Sequence, residues 1–324
     1  MPATLTRKGG ATLTVARKAG AALAWERLVS AFDTVKELAL ELTSTAENAT
    51  KDWTTAYAYI EDIGDGRGYT GGVVGWCSGT GDMLILLQAH SAIAPGNVLD
   101  KYIPKLQQIM GAAYADRPAL SHTLLDPGFT ADWAAAGATL AFQQAQRNER
   151  DRVYWNPAKT QATTDGLGNL GLAIYYDVSV NHGPGNDSES FGGIVAGVKA
   201  AGTKAPAQGG DEKTFLTAIV DARDVVLKGW GDWQANGRSG IHRKLLADNN
   251  LTLGLPLSWS VYGDTYSIGS TPTSDGHSPN STRFTGTASL AGAGALSAVG
   301  TKSGSTTRAT TATLATSPTL TTGA

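Results

Sequence analysis

Residues 46–72 read AENATKDWTTAYAYIEDIGDGRGYTGG. Five carboxylates, Glu47, Asp52, Glu61, Asp62 and Asp65, stand here against Lys51 and Arg67, among aromatics and a glycine-rich turn. Upstream, Val35, Leu38, Ala39, Leu42 and Ala46 recur at i, i+3, i+4 spacing, which predicts a helix over 32–50. Glu47 falls just off the edge of that apolar stripe, at the boundary of core and solvent. Over 56–77 the period changes: Tyr57 and Tyr59 alternate with small residues, then come GDGRG and YTGGVVGW. Strand, glycine turn and strand are expected there.

Most of the remaining chain reads as helical. GTGDMLILLQAHS offers Thr80 or Asp82 as an N-cap. NVLDKYIPKLQQIMG, TADWAAAGATLAFQQAQRNERDRVYW, LGNLGLAIYYDVSVNHG and DEKTFLTAIVDARDVVLKGW follow, and HGPGNDSESFGG and APAQGGDE read as loops. LPLSWSVYGDTYSIG is the last folded segment. Residues 1–31 form an extension resembling a degenerate export signal, interrupted by Arg17 and Lys18. Residues 32–270 form the main domain. Residues 271–324 are Ser, Thr, Gly and Ala with almost no aromatics, and read as a disordered tail.

Charge is uneven. Residues 32–268 carry 26 acidic and 18 basic side chains, net −8, within a chain of formal charge −2. That region repels nucleic acid and anionic lipid and attracts cations, although the same charge also serves solubility. The single cysteine, Cys77, excludes an intrachain disulfide and sits in an apolar stretch suited to burial. No run of 18 apolar residues occurs, so no membrane-spanning helix is expected.

Five scattered histidines without a Cys pair or H-E-x-x-H disfavour a metal site, and no cofactor is expected. GWCSGTG lacks the spacing of a serine nucleophile elbow, and GTGDM lacks the G-K-[ST] of a phosphate loop. Carboxylates remain. Glycoside hydrolysis needs one acid that donates a proton and one carboxylate that activates water or attacks. Glu47 at a helix end and Asp65 in a hydrogen-bonding turn beside Arg67 fit those roles. A surface helix residue and a turn former fit the residues as well. In LGLAIYYDVSV, Asp177 lies in an apolar helix and requires a cation, for which Arg223 and Arg238 are candidates.

At these residues the chain resembles the chitosanases of glycoside hydrolase family 46, the actinobacterial type most of all. The resemblance runs through TAEN (45–48), YIEDIGDGRGYTGG (59–72), CSGTGDML (77–84), PGNVL (95–99), FQQAQRNERDRVY (142–154), YYD (175–177), HGPGND (182–187), SFGG (190–193), APAQGGDE (205–212), DAR (221–223) and YGD (262–264). It implies a mainly α, lysozyme-like α+β fold: two helical lobes, a small sheet, and a substrate cleft between them. It further implies internal, inverting cleavage of β-1,4 glucosaminidic bonds of chitosan by a secreted monomer. Glu47 is then the general acid, Asp65 the general base, and Thr70 the hydroxyl holding the attacking water. Arg67 orients Asp65, Asp82 binds a substrate amine, and Tyr59 is a cleft aromatic. Asp177, Arg223 and Arg238 form a network reaching Glu47. Inversion needs room for water, so the two carboxyls should stand at least roughly 6.5–9.5 Å apart. DVVLKGWGDWQANG, between Arg223 and Arg238, has few acids, which bears on outer subsites. A lysozyme-like hydrolase of chitin or peptidoglycan and a non-catalytic chitosan-binding protein remain the competing readings.

Overall fold

The computed structural model describes residues 33–272, together with the backbone of six strand segments in the flanks. The chain divides into two compact units, Asp33–Ser278 and Met1–Phe32 with Pro279–Ala324. In the flanking unit, β1 (Ala3–Thr6) pairs antiparallel with β2 (Thr12–Val15). β3 (Leu23–Trp25) lies at one edge of a second sheet, whose other strands are Thr285–Ala291, Ala295–Thr301 and Thr310–Thr313. The rest of the expected extension and tail lies outside the described residues.

The main unit is mostly helical and contains two apolar cores. Helix α1 (Thr34–Asn48) starts at Asp33, whose carboxylate accepts from Lys36 N at 3.1 Å. Leu38, Ala39 and Leu42 are buried as their spacing predicts, and Val35 and Ala46 pack at the edge of the same core. The chain then makes a 3₁₀ turn over Trp53–Ala58. This corrects the expected strand at Tyr57: Asp52 caps the turn through Thr54 N, and Trp53, Ala56 and Tyr57 point inward. The strands are short: β4 (Ile60–Asp62), β5 (Tyr69–Gly71) and β6 (Trp76–Cys77), in one antiparallel sheet. Ile60 faces Gly71, Glu61 faces Thr70, and Asp62 faces Tyr69.

Five helices build the smaller core with these strands: α2 (Asp82–Ile93), α3 (Ile103–Gly111), α4 (Arg117–Leu125), α5 (Phe129–Gly137) and α6 (Leu140–Arg150). The segment expected as one helix over 130–155 is broken. Gly137 closes α5 because a Cβ there would lie 2.6 Å from Ala58 Cα, so only glycine lets the 3₁₀ turn approach. Thr139 then restarts the helix, its hydroxyl accepting from Phe142 N.

From α6 the chain runs through a π-helical turn (Asp151–Trp155) into α7 (Asn156–Asp165). Phe142 and Ala145 belong to the smaller core, Ala158 and Ala162 to the larger. One continuous helical rod therefore joins the lobes, and its irregular turn falls between them. The larger core is completed by α8 (Asn169–His182), α9 (Phe191–Ala200), α10 (Glu212–Trp230), α11 (Arg238–Ala247) and the hairpin β7 (Leu257–Val261) and β8 (Asp264–Ile268). Buried Tyr175, Phe215, Leu216 and Ile219 lie at its centre. Truncating one such leucine or isoleucine to alanine costs about 2–5 kcal/mol. Two helical lobes with a small sheet are the expected lysozyme-like arrangement.

Candidate active site

An open groove of about 370 Å³ has walls from both lobes. Glu47, Thr43, Tyr176 and Asn181 come from the larger-lobe helices α1 and α8, and Thr70 and Gly72 from the small sheet and the bend after it. Glu47 also lines an adjoining pocket of about 210 Å³ with Asp232, Trp233 and Tyr262.

Glu47 occupies the last turn of α1, half-exposed. Arg238 Nη2 donates to its Oε1. The same guanidinium donates through Nε to Asp177 Oδ1 at 3.0 Å. Asp177 Oδ2 ion-pairs with Arg223 Nη1 at 2.8 Å, and Arg223 Nη2 donates to Asn181. Asp177, Arg223 and Arg238 are all buried. Burial alone would raise the Asp177 carboxyl. Arg238, then Arg223, outweigh it and hold the group well below the usual carboxylate range. Charges removed from water persist when they are paired, and Asp177 is paired through both oxygens. The predicted network is thus a chain of contacts from α10 through α8 and α11 to Glu47.

Asp65 sits at the tip of the turn between β4 and β5. Gly64, Gly66 and Gly68 all have positive φ there. At Gly68 a Cβ would also meet Ser78 Oγ at 2.5 Å, so the turn closes tightly on the strand behind it. Arg67 N donates to Asp65 Oδ1 at 3.0 Å, and Arg67 Nε to Oδ2 at 2.7 Å. Backbone and guanidinium together fix the carboxylate. Arg67 lines the groove. Thr70, on β5, is buried with its hydroxyl 3.4 Å from Cys77 Sγ. Burial raises the Cys77 thiol pKa, and the residue packs as its apolar setting predicts.

Tyr59 lines the groove, 40% exposed, and its hydroxyl donates to Glu61. Asp82 is placed differently from a simple groove wall. Gly81 rather than Thr80 or Asp82 is the N-cap of α2, with φ +96°. Asp82 Oδ1 accepts from Cys77 N and Met83 N, each at 3.0 Å, and from Thr80 Oγ1 at 2.6 Å. That oxygen closes the loop that supports Thr70's neighbour, and Asp82 lies outside both pocket linings. Among the described residues, no group of three His, Cys, Asp or Glu is arranged to hold a metal ion.

Sequence reasoning missed Arg150 and Trp53. Arg150, 2% exposed, opens the π turn, donates to Asp151 Oδ1 at 2.8 and 3.0 Å, and stacks 4.8 Å over the Trp53 ring. Both side chains reach the groove. Their separation of nearly a hundred positions hides the pairing. An Arg beside an Asp in an otherwise helical run was the available signal.

The family model for glycosyl hydrolase family 46 matches residues 41–257. A chitosanase of Streptomyces sp. (strain N174) is 51% identical over 237 residues, covering 72% of this chain and 82% of the relative. A chitosanase of Bacillus subtilis (strain 168) is 31% identical over 230 residues, covering 68% and 80%. Among solved structures, a chitosanase co-crystallised with substrate is 46% identical with a TM-score of 0.66, covering 72% of this chain and 96% of that one. A Gynuella sunshinyii family 46 chitosanase in complex with chitotetraose is 30% identical with a TM-score of 0.64, covering 74% and 98%.

Proposed function

The chain belongs to glycosyl hydrolase family 46, and from that premise we propose an endo-acting, inverting hydrolase of the β-1,4 glucosaminidic bonds of chitosan. The observation that carries the reading is the meeting of Glu47, from one lobe, and Thr70 and Arg67, from the small sheet and its turn, on one groove, with Asp65 locked to Arg67.

Glu47 donates its proton to the glycosidic oxygen as the bond to the anomeric carbon breaks. Asp65 takes a proton from the water that attacks the opposite face, and the Thr70 hydroxyl holds that water. The acid ends ionised and the base protonated, and exchange with solvent resets both. Arg67 orients Asp65. Arg238 orients Glu47 and is itself held by Asp177, which it shares with Arg223. Tyr59 packs on a sugar face, and Asp82 offers its second oxygen to a substrate amine.

The acidic catalytic region attracts a polyamine and repels anionic peptidoglycan, which places the lysozyme-like alternative second. The enzyme acts as a monomer without a cofactor, outside the cell, where the polymer is found. The test is to follow viscosity and reducing ends together on highly deacetylated chitosan, with chitin and cell wall as controls. A fast viscosity drop with few new ends, abolished by Asp65→Asn, supports the proposal. Binding without new ends would leave a chitosan-binding protein, and product from cell wall alone would leave the lysozyme-like reading.

A further inference from the structure

Away from the groove, the smaller lobe holds a polar cluster that the proposed mechanism does not use. His122, in the second turn of α4, touches both strands that carry the Asp65 turn. Its Nε2 is 2.7 Å from Asp62 Oδ2 on β4. Its Nδ1 is 3.2 Å from Asp126 Oδ2, one helical turn along α4, and 3.2 Å from the Tyr69 hydroxyl on β5. Tyr69 donates its own proton to Asp126, so its oxygen is free to accept from the ring. The Tyr69 and His122 rings pack at 4.9 Å, and Phe129 of α5 closes the other side of Tyr69 at 5.7 Å.

Both imidazole nitrogens therefore face acceptors. A neutral ring carries one N–H and can serve only one side, while the imidazolium serves both. Asp62 and Tyr69 are partners across the ladder, the last pair before the chain leaves the sheet into 63–68. Asp62 also accepts from Gly64 N at 2.8 Å and so fixes the first bend of that turn. One charged side chain thus ties both ends of the loop bearing Asp65, and the residue next to Thr70, to a single helix.

We propose that His122, as the imidazolium, is a positioning residue for the general base: it clasps Asp62 and the Tyr69–Asp126 pair together and thereby sets where the Asp65 turn stands. This rests on Asp65 being the base. The titratable groups facing the ring are Asp62 from β4, Tyr69 from β5 and Asp126 at the C-terminal cap of α4. Asp62 first of all, with Asp126 adding to it, raises the His122 pKa above its ordinary value against the opposing effect of burial. A group raised in this way holds its partners below the folded pKa and releases them as pH rises through it. The clasp is closed under the acidic conditions that keep chitosan charged, and opens as pH rises through the raised His122 value.

The test compares wild type, His122→Lys and His122→Gln on glucosamine hexamer, which stays soluble across pH 5 to 8. kcat is measured over that range, with circular dichroism at each pH. The substrate amines titrate identically for all three proteins, so differences between the profiles belong to the enzyme. Gln, uncharged, lowers kcat about two- to fivefold at pH 5.5, the range that one partly exposed ion pair supplies. Lys, charged throughout, restores kcat at pH 5.5 and carries its alkaline limb to higher pH than wild type. Three superimposable profiles, or variants lowered by one factor at every pH, would overturn the clasp. Asp65→Asn is assayed in parallel. If it is inactive while the His122 profiles superimpose, the clasp alone is wrong; if it is active, the base assignment falls and the clasp with it.

Discussion

Replacing Asp177 by Asn removes one charge from the centre of the larger lobe and leaves the shape almost intact. In wild type, one carboxylate oxygen takes Arg238 Nε at 3.0 Å and the other faces Arg223 Nη1 at 2.8 Å. Asparagine can answer only one guanidinium with an oxygen and turns an NH₂ towards the other. Both arginines are buried, Arg223 completely. His242, whose Nδ1 lies 3.3 Å from Arg223, has no negative charge to offer. Breaking such a buried pair costs about 3–5 kcal/mol. For a domain of this size that lowers the melting temperature by roughly 10 °C. The pH dependence gives a second readout. The Asp177 carboxyl is depressed in the fold, so its contribution is present above the unfolded-state value and is lost only as pH falls through its lower folded value. The gap between wild type and variant therefore persists at pH 7 and at pH 4 and closes only in stronger acid. The assay is thermal unfolding by circular dichroism at both pH values, with kcat measured alongside, because an Arg238 freed from Asp177 no longer holds Glu47 in place. A variant that melts within about 2 °C of wild type at both pH values would show that Asp177 does not hold the two arginines in the fold.

Arg67→Lys exchanges a two-point grip on Asp65 for a single point charge. It should lower kcat about tenfold, equivalent to ~1.5 kcal/mol for a lost hydrogen bond to a charged group, and KM should change little; unchanged steady-state kinetics would count against Arg67 as the orienter of Asp65. Gly137→Ala presses a methyl into the Ala58 backbone and should cost about 1–3 kcal/mol by chemical denaturation, an effect that would be absent if α5 could slide away. His182 and His242 are each pushed down to about 4, chiefly by burial, with Arg223 acting in the same direction on both. The unfolded chain takes up protons on these residues near the ordinary histidine value while the fold does not, so stability declines as pH drops from about 6.5 to 4. Urea midpoints at pH 7, 5.5 and 4.5 measure this decline, and a flat series would contradict it.

The periodicity of 32–50 placed α1 and the position of Glu47 at its end because a helix that buries one face repeats every three to four residues. The acidic and glycine pattern of 59–72 placed the Asp65 turn because positive φ at Gly64, Gly66 and Gly68 is a local demand. Asp177 was legible as a buried charge in an apolar helix, and its cations were the two arginines expected. Tertiary contacts without a buried charge to announce them were not legible. Tyr57 alternates like a strand residue but is held in a 3₁₀ turn by Asp52. The break at Gly137 exists because Ala58 lies against it, nearly eighty residues earlier in the chain. Arg150 over Trp53, and His122 between Asp62 and Asp126, join segments whose proximity only the folded lobe creates. Asp82 has the right residue type for an amine ligand, but one oxygen is spent on the loop before α2.

In the proposed mechanism Glu47 and Asp65 act on opposite faces of the sugar, Asp65 through the attacking water. Proton NMR of fresh products from glucosamine hexamer, recorded before mutarotation, tests it most directly, with Glu47→Gln as the control. The α anomer is expected as the first product, inverted from the β linkage, with no product signal from the variant on the same timescale. A β anomer appearing first, or a Glu47→Gln enzyme of near-normal turnover, would contradict it.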